Sequence, residues 1–469
     1  MKEGHTSIPR YPVIDRWRPD LYFTIASIQD FQRIDEGNIV MEYPADPLIV
    51  PQVCLRFLDI SNVGVTGRHH TSFIMPGQHS FGVYWKDRTI ELNFKFLTKV
   101  MGIPEEELVY VEDMWAMGDF SQFGPSLETL SRGLELVNSV FSQFTARGRG
   151  YRELPQRVID VGWGHERLVW FSHGTPTGYD AVFGPVIEWM KKQTGYKGGE
   201  IFERYAVLAG GLDYGEVRDI EKVRRAVAKR IGISPDELKR TVEPLQAIYA
   251  IADHMKTLTF AIADGGIPSN VGGGYNLRVL LRRVFSFIKE YGFDIEPERI
   301  AEMHARYLRP MFPELMGSID SLCKILDVER ERYERSIKRA RRLVEKELGK
   351  GRITVDNLVK LYVSNGITPE LVTKIAREKG VKFSVPDGFY ERVTSQHLSG
   401  KKEVEEEVIR IDIKGIPPTD LLYYKMPYKR EFEASLLAPC SPVEATSPIA
   451  KRKRTSVCPN LLALTPPHE

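Results

Sequence analysis

Short runs in which apolar and polar residues alternate fill the first 175 or so residues of the chain. Several show the period of half-buried strands: LYFTIASI, PLIVPQVCLRFLDI, HHTSFIM, FGVYW, ELVYVEDMW and RVIDVGW. Two stretches between them have the apolar spacing of helices, DRTIELNFKFLTKVMG and PSLETLSRGLELVNSVFSQF. Strands with few helices among them predict an α+β fold with a mainly antiparallel sheet over residues 1–178.

A different pattern begins near residue 179. VEPLQAIYAIADHMKTLTFAIADG and LDVERERYERSIKRARRLVEKEL repeat apolar residues at positions i, i+3, i+4 and i+7, which predicts long helices and a mainly helical domain over 179–398. Residues 399–437 form a charged connector and the start of another unit. Residues 438–469 are rich in proline and serine without periodicity, which predicts disorder.

Composition adds little about partners, because 65 basic and 63 acidic residues leave a net charge of +2. The four cysteines are far apart without CxxC spacing, which argues against a disulfide framework or a zinc ribbon and fits a reducing compartment. Apolar runs are too short for a membrane span, and the start of the chain has no signal-peptide core. We therefore expect a cytoplasmic protein that does not associate with membranes.

A Glu-Arg pair stands between two apolar runs in VIDVGWGHERLVWF, residues 158–171. The stretch predicts a strand that ends at Gly162 and Gly164, followed by a helix. Because the amides at a helix N-terminus favour anions, Arg167 is placed to meet a phosphate. The alternative is a surface salt bridge from Arg167 to Glu166 or to another nearby acid.

A second arginine lies on a predicted hairpin. GRHHTSFIMPGQHSFGVYWK, residues 67–86, carries Arg68 on one leg, a turn at Pro76 and Gly77, and aromatic residues on the other leg. Arginine binds phosphate through two hydrogen bonds, and an aromatic face stacks on a nucleobase. Arg68 and Arg167 together predict a clamp for a nucleoside triphosphate; the alternative for Arg68 is an ordinary hairpin with a solvated arginine.

These stretches resemble the class II aminoacyl-tRNA synthetases: the Arg68 hairpin looks like their motif 2 and GWGHER like their motif 3. Further stretches resemble, in order, the alanyl-tRNA synthetases of archaeal type: RWRPDLYFTIASIQDFQ, NVGVTGRHHTSF, FGPSLE, GLELVNSVFSQF, IADHMKTLTFAIADGGIPSN and LYVSNGI. The resemblance runs from about residue 4 to 437. It implies a class II antiparallel sheet flanked by helices, then a mainly helical tRNA-recognition domain.

The resemblance also implies an activity: ATP-dependent activation of alanine to alanyl-adenylate and its transfer to the 3′ end of tRNA(Ala). Arg68 would bind the α-phosphate and the alanyl carboxylate, and Arg167 would hold the γ-phosphate. Phe81 would complete the ATP site, and Mg²⁺ would accompany the ATP with Glu128 as a candidate ligand. For Glu128 a salt bridge on a strand is an equal alternative.

Four residues match the family's alanine site. Asp160 would bind the ammonium group, and a buried carboxylate of this kind is expected to have a cationic partner. Trp115, Asn138 and Val140 match the residues that shape the side-chain pocket. Plain core packing is the alternative for these three.

The helical region would approach the tRNA acceptor stem. Arginines there would neutralise phosphates, and the matching candidates are Arg278, Arg282 and Arg283. Asn270 is a further candidate for tRNA binding. A solvated helix face is the alternative for this cluster. His254 is expected to be a core histidine.

Three positions depart from the family pattern: His165 replaces a leucine, Ile74 a glutamate, and Val363 an aspartate that helps to read the acceptor stem. Without that aspartate, Asn270 is the remaining candidate for reading the stem. The resemblance stops before the family's editing domain, so we expect a truncated chain, and a separate chain could supply editing. A non-catalytic paralogue or fragment that binds tRNA or a partner chain is the alternative function.

Overall fold

The computed structural model describes residues 3–15, 17–18, 21–35, 38–117, 120–147, 150–213, 220–349, 353–365, 367, 369–383, 385, 389, 435–436 and 464–465. The chain divides into two compact units, Met1–Gly400 and Lys401–Glu469. In the second unit the described residues form two short antiparallel strands, Ser435–Leu436 and Leu464–Thr465. Most of the predicted connector (399–437) and tail (438–469) lies outside the described residues.

The first unit is built on a seven-stranded sheet. Its strands are β1 Thr6–Ser7, β4 Leu48–Leu55, β5 Ser72–Ser80, β6 Leu108–Ala116, β7 Phe123–Ser131, β8 Leu134–Arg147 and β9 Gly150–Trp163. Their order across the sheet is β1-β4-β5-β9-β8-β7-β6. Every neighbouring pair is antiparallel except β1 and β4, so the predicted α+β fold with a mainly antiparallel sheet is confirmed. A separate hairpin is formed by β2 Gln32–Asp35 and β3 Asn38–Met41.

Twelve α-helices are described in the first unit. They are α1 Lys86–Lys95, α2 His165–His173, α3 Gly178–Val182, α4 Pro185–Thr194, α5 Glu200–Leu208, α6 Ile220–Ile231, α7 Pro235–Ala263, α8 Gly272–Tyr291, α9 Pro297–Leu308, α10 Ile319–Leu348, α11 Val355–Asn365 and α12 Pro369–Glu378. The predictions for α1, α7 and α10 are confirmed. Over the described residues, none of the helices has the length and apolar character needed to cross a membrane.

The helix predicted for PSLETLSRGLELVNSVFSQF is wrong, because this stretch forms β7 and β8. The two strands meet at a two-residue turn in which Arg132 and Gly133 both have positive φ, 50° and 78°. Such a turn matches the twist of an antiparallel pair and ends any helix. Leu127, Leu130 and Leu134 have helical spacing by coincidence, since the turn separates the third from the first two.

The hairpin predicted at Pro76 and Gly77 is also wrong, because β5 runs through both residues without turning. A proline is tolerated there because β9 pairs with β5 only from Gly77 to Ser80, which leaves Pro76 with a strand partner on one side. FGVYW therefore forms the turn into α1 rather than a returning strand. LYFTIASI is not a strand either: it contains one isolated bridge, at Phe23, and runs into a 3₁₀ helix, Ser27–Phe31.

The main hydrophobic core joins the sheet to the helices. It contains Val53 and Ile74 from the sheet together with residues of α7, α8 and α10. A second cluster packs Leu97, beside α1, against Phe141, Ile159 and Val161 of β8 and β9. The predicted border between residues 178 and 179 falls inside the first unit and stays a prediction.

Candidate active site

The Glu-Arg pair lies at the junction of β9 and α2, and its two side chains point in different directions. The predicted strand-to-helix turn is confirmed, since β9 ends at Trp163 and α2 begins at His165. Glu166 is buried and accepts a hydrogen bond from Lys256 Nζ at 2.9 Å. Arg167 is half exposed, and its Nη1 lies 2.9 Å from the carboxylate of Glu135. In the described residues Arg167 therefore pairs with Glu135 rather than with Glu166.

Arg68 and Arg167 line the same cleft, which has a volume of about 290 Å³. Glu128 lines it too, so the structure brings three of the predicted ATP-site residues together. The other lining residues are His69, His70, Leu130, Gly133, Leu134, Glu135, Glu166, Trp170 and Gly178. Arg68 is exposed, and a Cβ atom at Gly210 would overlap its guanidinium, so the glycine leaves space for this arginine.

Carboxylates gather around Glu128. Partial burial, with the charges of Glu135 and Asp113, raises the pKa of Glu128 above its usual range, although Arg167 opposes the shift. Carboxylate oxygens are the ligands that Mg²⁺ prefers, and a divalent cation would relieve the repulsion between these acids. Within the described part of the chain, no group of three or more His, Cys, Asp or Glu residues is arranged to hold a metal ion. The donors fit a metal that arrives with phosphate ligands of its own.

The strand register places the predicted alanine-site residues on one face of the sheet. Residues directly opposite each other in antiparallel strands have side chains on the same face. Asp160 lies opposite Val140, and Asn138 lies opposite both Gly162 and Glu128. Trp115 on β6 follows the same alternation through its partner Gly124. This face therefore carries Trp115, Glu128, Asn138, Val140 and Asp160.

Asp160 has no cationic partner among the described residues, contrary to the sequence-based expectation. Its Oδ1 lies 3.5 Å from Nδ1 of His79, but burial lowers the pKa of His79 to about 3, so this imidazole is neutral. Burial also raises the pKa of Asp160 to about 7. A buried carboxylate beside a neutral imidazole is suited to a cation supplied by a ligand.

Asn138 offers a second acceptor on this face. Its Oδ1 is buried and has no hydrogen-bond partner among the described residues, while its Nδ2 lies 3.5 Å from Glu128. An unpaired buried carbonyl oxygen is costly, so it marks a place for a donor from a ligand. Val140 is buried beside it and Trp115 is partly buried.

Phe81 lies apart from the cleft lining. It is 2% exposed, and its ring stacks on Tyr43 at a centroid distance of 4.0 Å with an interplanar angle of 1°. Phe31 packs against it edge to face. Because these rings surround it, Phe81 is not proposed as the residue that stacks on a nucleobase.

The four predicted tRNA-binding residues occupy α8 and the segment before it, and Arg278 is not solvated. It donates two hydrogen bonds of 2.9 Å to Glu329 on α10 and another to the side chain of Asn270, which is exposed. Arg282 and Arg283 are partly exposed, and Arg283 Nε donates to His254 Nε2 at 3.2 Å. His254 is 0% exposed, as expected of a core histidine.

Sequence reasoning did not identify three residues that contact the site residues or their neighbours, namely Lys256, His79 and Glu135. Lys256 and His79 are both buried, and Glu135 pairs with Arg167. One signal for Lys256 was available, since a lysine stands inside the apolar run AIADHMKTLTFAIA, where a charge needs a buried partner. His79 gave no comparable signal.

Known proteins resemble the chain over almost its whole length. An alanine–tRNA ligase of Nitrosopumilus maritimus is 43% identical over 442 residues, which cover 93% of this chain and 48% of that protein. Another from Pyrococcus abyssi is 40% identical over 92% of this chain and 50% of that protein. A third, from Methanothermobacter thermautotrophicus, is 40% identical over 93% of this chain and 49% of that protein. The chain thus spans about half the length of the curated relatives that it matches.

The family model described as "tRNA synthetases class II (A)" matches residues 1–456. Among solved structures, a pyrrolysyl tRNA synthetase from Desulfitobacterium hafniense matches 29% of this chain and 45% of that chain at 16% identity, with a TM-score of 0.20, too low to support any inference. The family match agrees with the mainly antiparallel sheet flanked by helices. This chain belongs to the class II tRNA synthetases (A).

Proposed function

We propose that this chain is the aminoacylation part of an alanine–tRNA ligase of the cytoplasm. Its substrates are ATP, alanine and tRNA(Ala), and its first product is alanyl-adenylate with release of pyrophosphate. The observation that carries the proposal is the cleft in which Arg68, Glu128 and Arg167 meet. The similarity to alanine–tRNA ligases indicates the amino acid.

The two arginines act on the phosphates of ATP rather than as acids or bases. The alanine carboxylate attacks the α-phosphorus in line with the departing pyrophosphate, and negative charge spreads over the phosphoryl oxygens. Arg68 neutralises that charge at the α-phosphate. Arg167 exchanges its ion pair with Glu135 for the γ-phosphate. Catalysis then comes from positioning and from electrostatic stabilisation of the transition state.

The alanine site uses the buried acceptors on the sheet face. Asp160 and the Oδ1 of Asn138 receive the ammonium group, which supplies the cation that the buried carboxylate needs. Val140 and Trp115 limit the space for the side chain. Such a pocket excludes large side chains by steric overlap, but it discriminates weakly against glycine and serine.

Mg²⁺ fits beside Glu128, whose pKa is raised by partial burial and by the charges of Glu135 and Asp113. When bound with ATP, the metal ion would supply positive charge to the phosphate oxygens. Among the predicted tRNA-binding residues, Asn270 is exposed and Arg282 and Arg283 are partly exposed, and we assign these three to tRNA binding. Arg278 is assigned to holding Asn270 and Glu329, because its guanidinium is already engaged by both. Val363 lies on α11.

The direct test is alanine-dependent exchange of pyrophosphate into ATP by the purified chain. We expect exchange with alanine that does not require tRNA. A folded chain that binds tRNA(Ala) but shows no exchange at saturating alanine and ATP would support the non-catalytic alternative instead. Comparing leucine with alanine controls for contaminating synthetases.

The pKa of Asp160 predicts how alanine binding depends on pH. The ammonium group needs the ionised carboxylate, whose pKa in the empty site is raised to about 7. The KM for alanine should therefore rise about tenfold per pH unit as pH falls below 7, and level off above it. Alanine KM measured by exchange from pH 5.5 to 8.5 checks this; a flat profile would contradict it.

The same shift has a consequence for stability. Because the folded-state pKa of this acid exceeds the ordinary value of 3.8, the folded state binds more protons than the unfolded state between about pH 4 and 7. The contribution of Asp160 to the free energy of unfolding is thus lost as pH rises through that window. Alanine should raise the melting temperature more at pH 8 than at pH 6, and Asp160→Asn should abolish that difference.

A further inference from the structure

Two charged side chains on one turn of the buried helix α7 are enclosed by the protein. Asp253 is 0% exposed and Lys256 is 2% exposed, and their spacing of three residues puts them on one helix face. We propose that Asp253 and Lys256 are positioning residues that fix Arg68 and Arg167 at the separation required by the triphosphate of ATP. This inference rests on the proposed function, because it assigns a role within the ATP site.

Asp253 holds the segment that carries Arg68. Its carboxylate accepts hydrogen bonds from the backbone N–H of Thr71, at 3.2 and 3.1 Å, and from the Thr71 hydroxyl. It also lies 3.3 Å from Nδ1 of His70, which lines the cleft with Arg68. These contacts hold the backbone of Thr71 and the side chain of His70, directly before β5 begins at Ser72.

Lys256 holds both arginine-bearing segments at once. Its Nζ donates to Glu166 Oε1 at 2.9 Å and to the backbone carbonyl of Ser72 at 3.2 Å. Glu166 directly precedes Arg167, and both its carboxylate oxygens accept from the N–H of Ile74 at 3.0 Å. A single ammonium group therefore links the start of α2 to the start of β5.

The carboxylates of Glu166 and Asp253 are kept ionised by their surroundings. Burial alone would raise the pKa of Glu166, but Lys256 and His165 lower it below the usual range. Burial alone would also raise the pKa of Asp253, but a hydrogen bond from His254 and the nearby imidazole of His70 lower it. His254 is in turn fixed by Arg283, which donates to its Nε2. The carboxylate of Asp253 thus has one defined orientation.

A purely structural role is the competing explanation, so the experiment compares variants that lose buried charges in different places. Asp253→Asn and Lys256→Met remove the proposed positioning contacts, and Lys256→Arg restores a cation. Arg10→Met is the matched control, because Arg10 is equally buried, lies 2.7 Å from Asp264 and is not among the residues that line the cleft. Melting temperature, ATP affinity by calorimetry and exchange kinetics are measured for each.

A displacement of about 1 Å at reacting groups costs on the order of 10²-fold in rate. We therefore expect Asp253→Asn and Lys256→Met to lower kcat/KM for ATP by about 10- to 100-fold. The KM for alanine should stay near the wild-type value, because Asp160, Asn138 and Val140 lie on β8 and β9. Lys256→Arg should recover part of the loss, and Arg10→Met should lower the melting temperature alone.

Binding of ATP decides whether Asp253 acts through Arg68. In the Arg68→Ala background, Asp253→Asn should weaken ATP binding little further, whereas independent effects would add. Additive losses would overturn the inference, and so would variants that lose only thermal stability, as Arg10→Met is expected to do. If Lys256→Met does not fold, Asp253→Asn carries the same test. A wild-type chain that binds ATP without alanine-dependent exchange would contradict the proposed function, while the calorimetric comparison would still decide the positioning role.

Discussion

Replacing Arg68 or Arg167 with alanine is expected to lower the rate of alanyl-adenylate formation by about two to three powers of ten, with the fold intact. Each arginine neutralises charge that develops on the phosphates, and neither is a large part of the core. Arg68 is exposed, and the Arg167 side chain is 48% exposed in a surface ion pair. Single-turnover formation of alanyl-adenylate is the measurement, with thermal unfolding to show that the variants are folded.

Arg88→Ala is the matched control for this pair of variants. Arg88 is an exposed arginine on α1 that is ion-paired with Glu3 and with Glu91, and it does not line the cleft. Its loss should leave the rate within about twofold of the wild type, as is usual for a surface ion pair. Near-normal activity of a folded Arg167→Ala variant would refute the role of Arg167 at the γ-phosphate.

Replacing Asp160 with asparagine is expected to raise the KM for alanine by about 10- to 100-fold. A hydrogen bond to a charged group contributes roughly 1.5–3 kcal/mol, and asparagine keeps the shape while it removes the charge. The KM for ATP should change much less, because the phosphates meet the two arginines instead. Steady-state exchange at varied alanine and varied ATP separates the two effects.

Asp30→Asn is the control for Asp160→Asn. Asp30 is also a buried carboxyl group whose pKa burial raises well above its usual range, but it precedes β2 and lies outside the sheet face. Its isosteric replacement should leave the alanine KM unchanged. An equal rise in both variants would mean that Asp160 acts through the fold and not through the ammonium group.

Local patterns in the sequence were sufficient for several elements. The strand-to-helix turn at GWGHER follows from two glycines between apolar runs, and α7 and α10 follow from long amphipathic or apolar periodicity. The helix predicted from Pro125 to Phe144 is wrong: its leucines satisfy helical spacing, but the stretch forms two strands. Whether Arg132 and Gly133 turn the chain back depends on the pairing of two strands, which a spacing rule does not detect.

The sequence predicts which residue types form the site, but it does not predict the burial and the partners of each side chain. Arg68 and Arg167 are 99 positions apart, yet they line one cleft. The cationic partner expected for Asp160 is absent from the described residues, because the neighbour that the register provides is His79, whose pKa burial lowers. Arg278, predicted to neutralise a tRNA phosphate or else to lie on a solvated helix face, pairs with Glu329 from a helix that begins more than 40 residues later.

The sequence by itself determined the family of the chain, the position of its long helices and which side chains are available for phosphate and ammonium groups. These features depend on local spacing and on residue type. Only the tertiary structure decided that Glu166 turns inward to Lys256 while Arg167 turns outward to Glu135. The reason is physical: ionisation and hydrogen bonding depend on burial and on partners, and both come from segments that are distant along the chain.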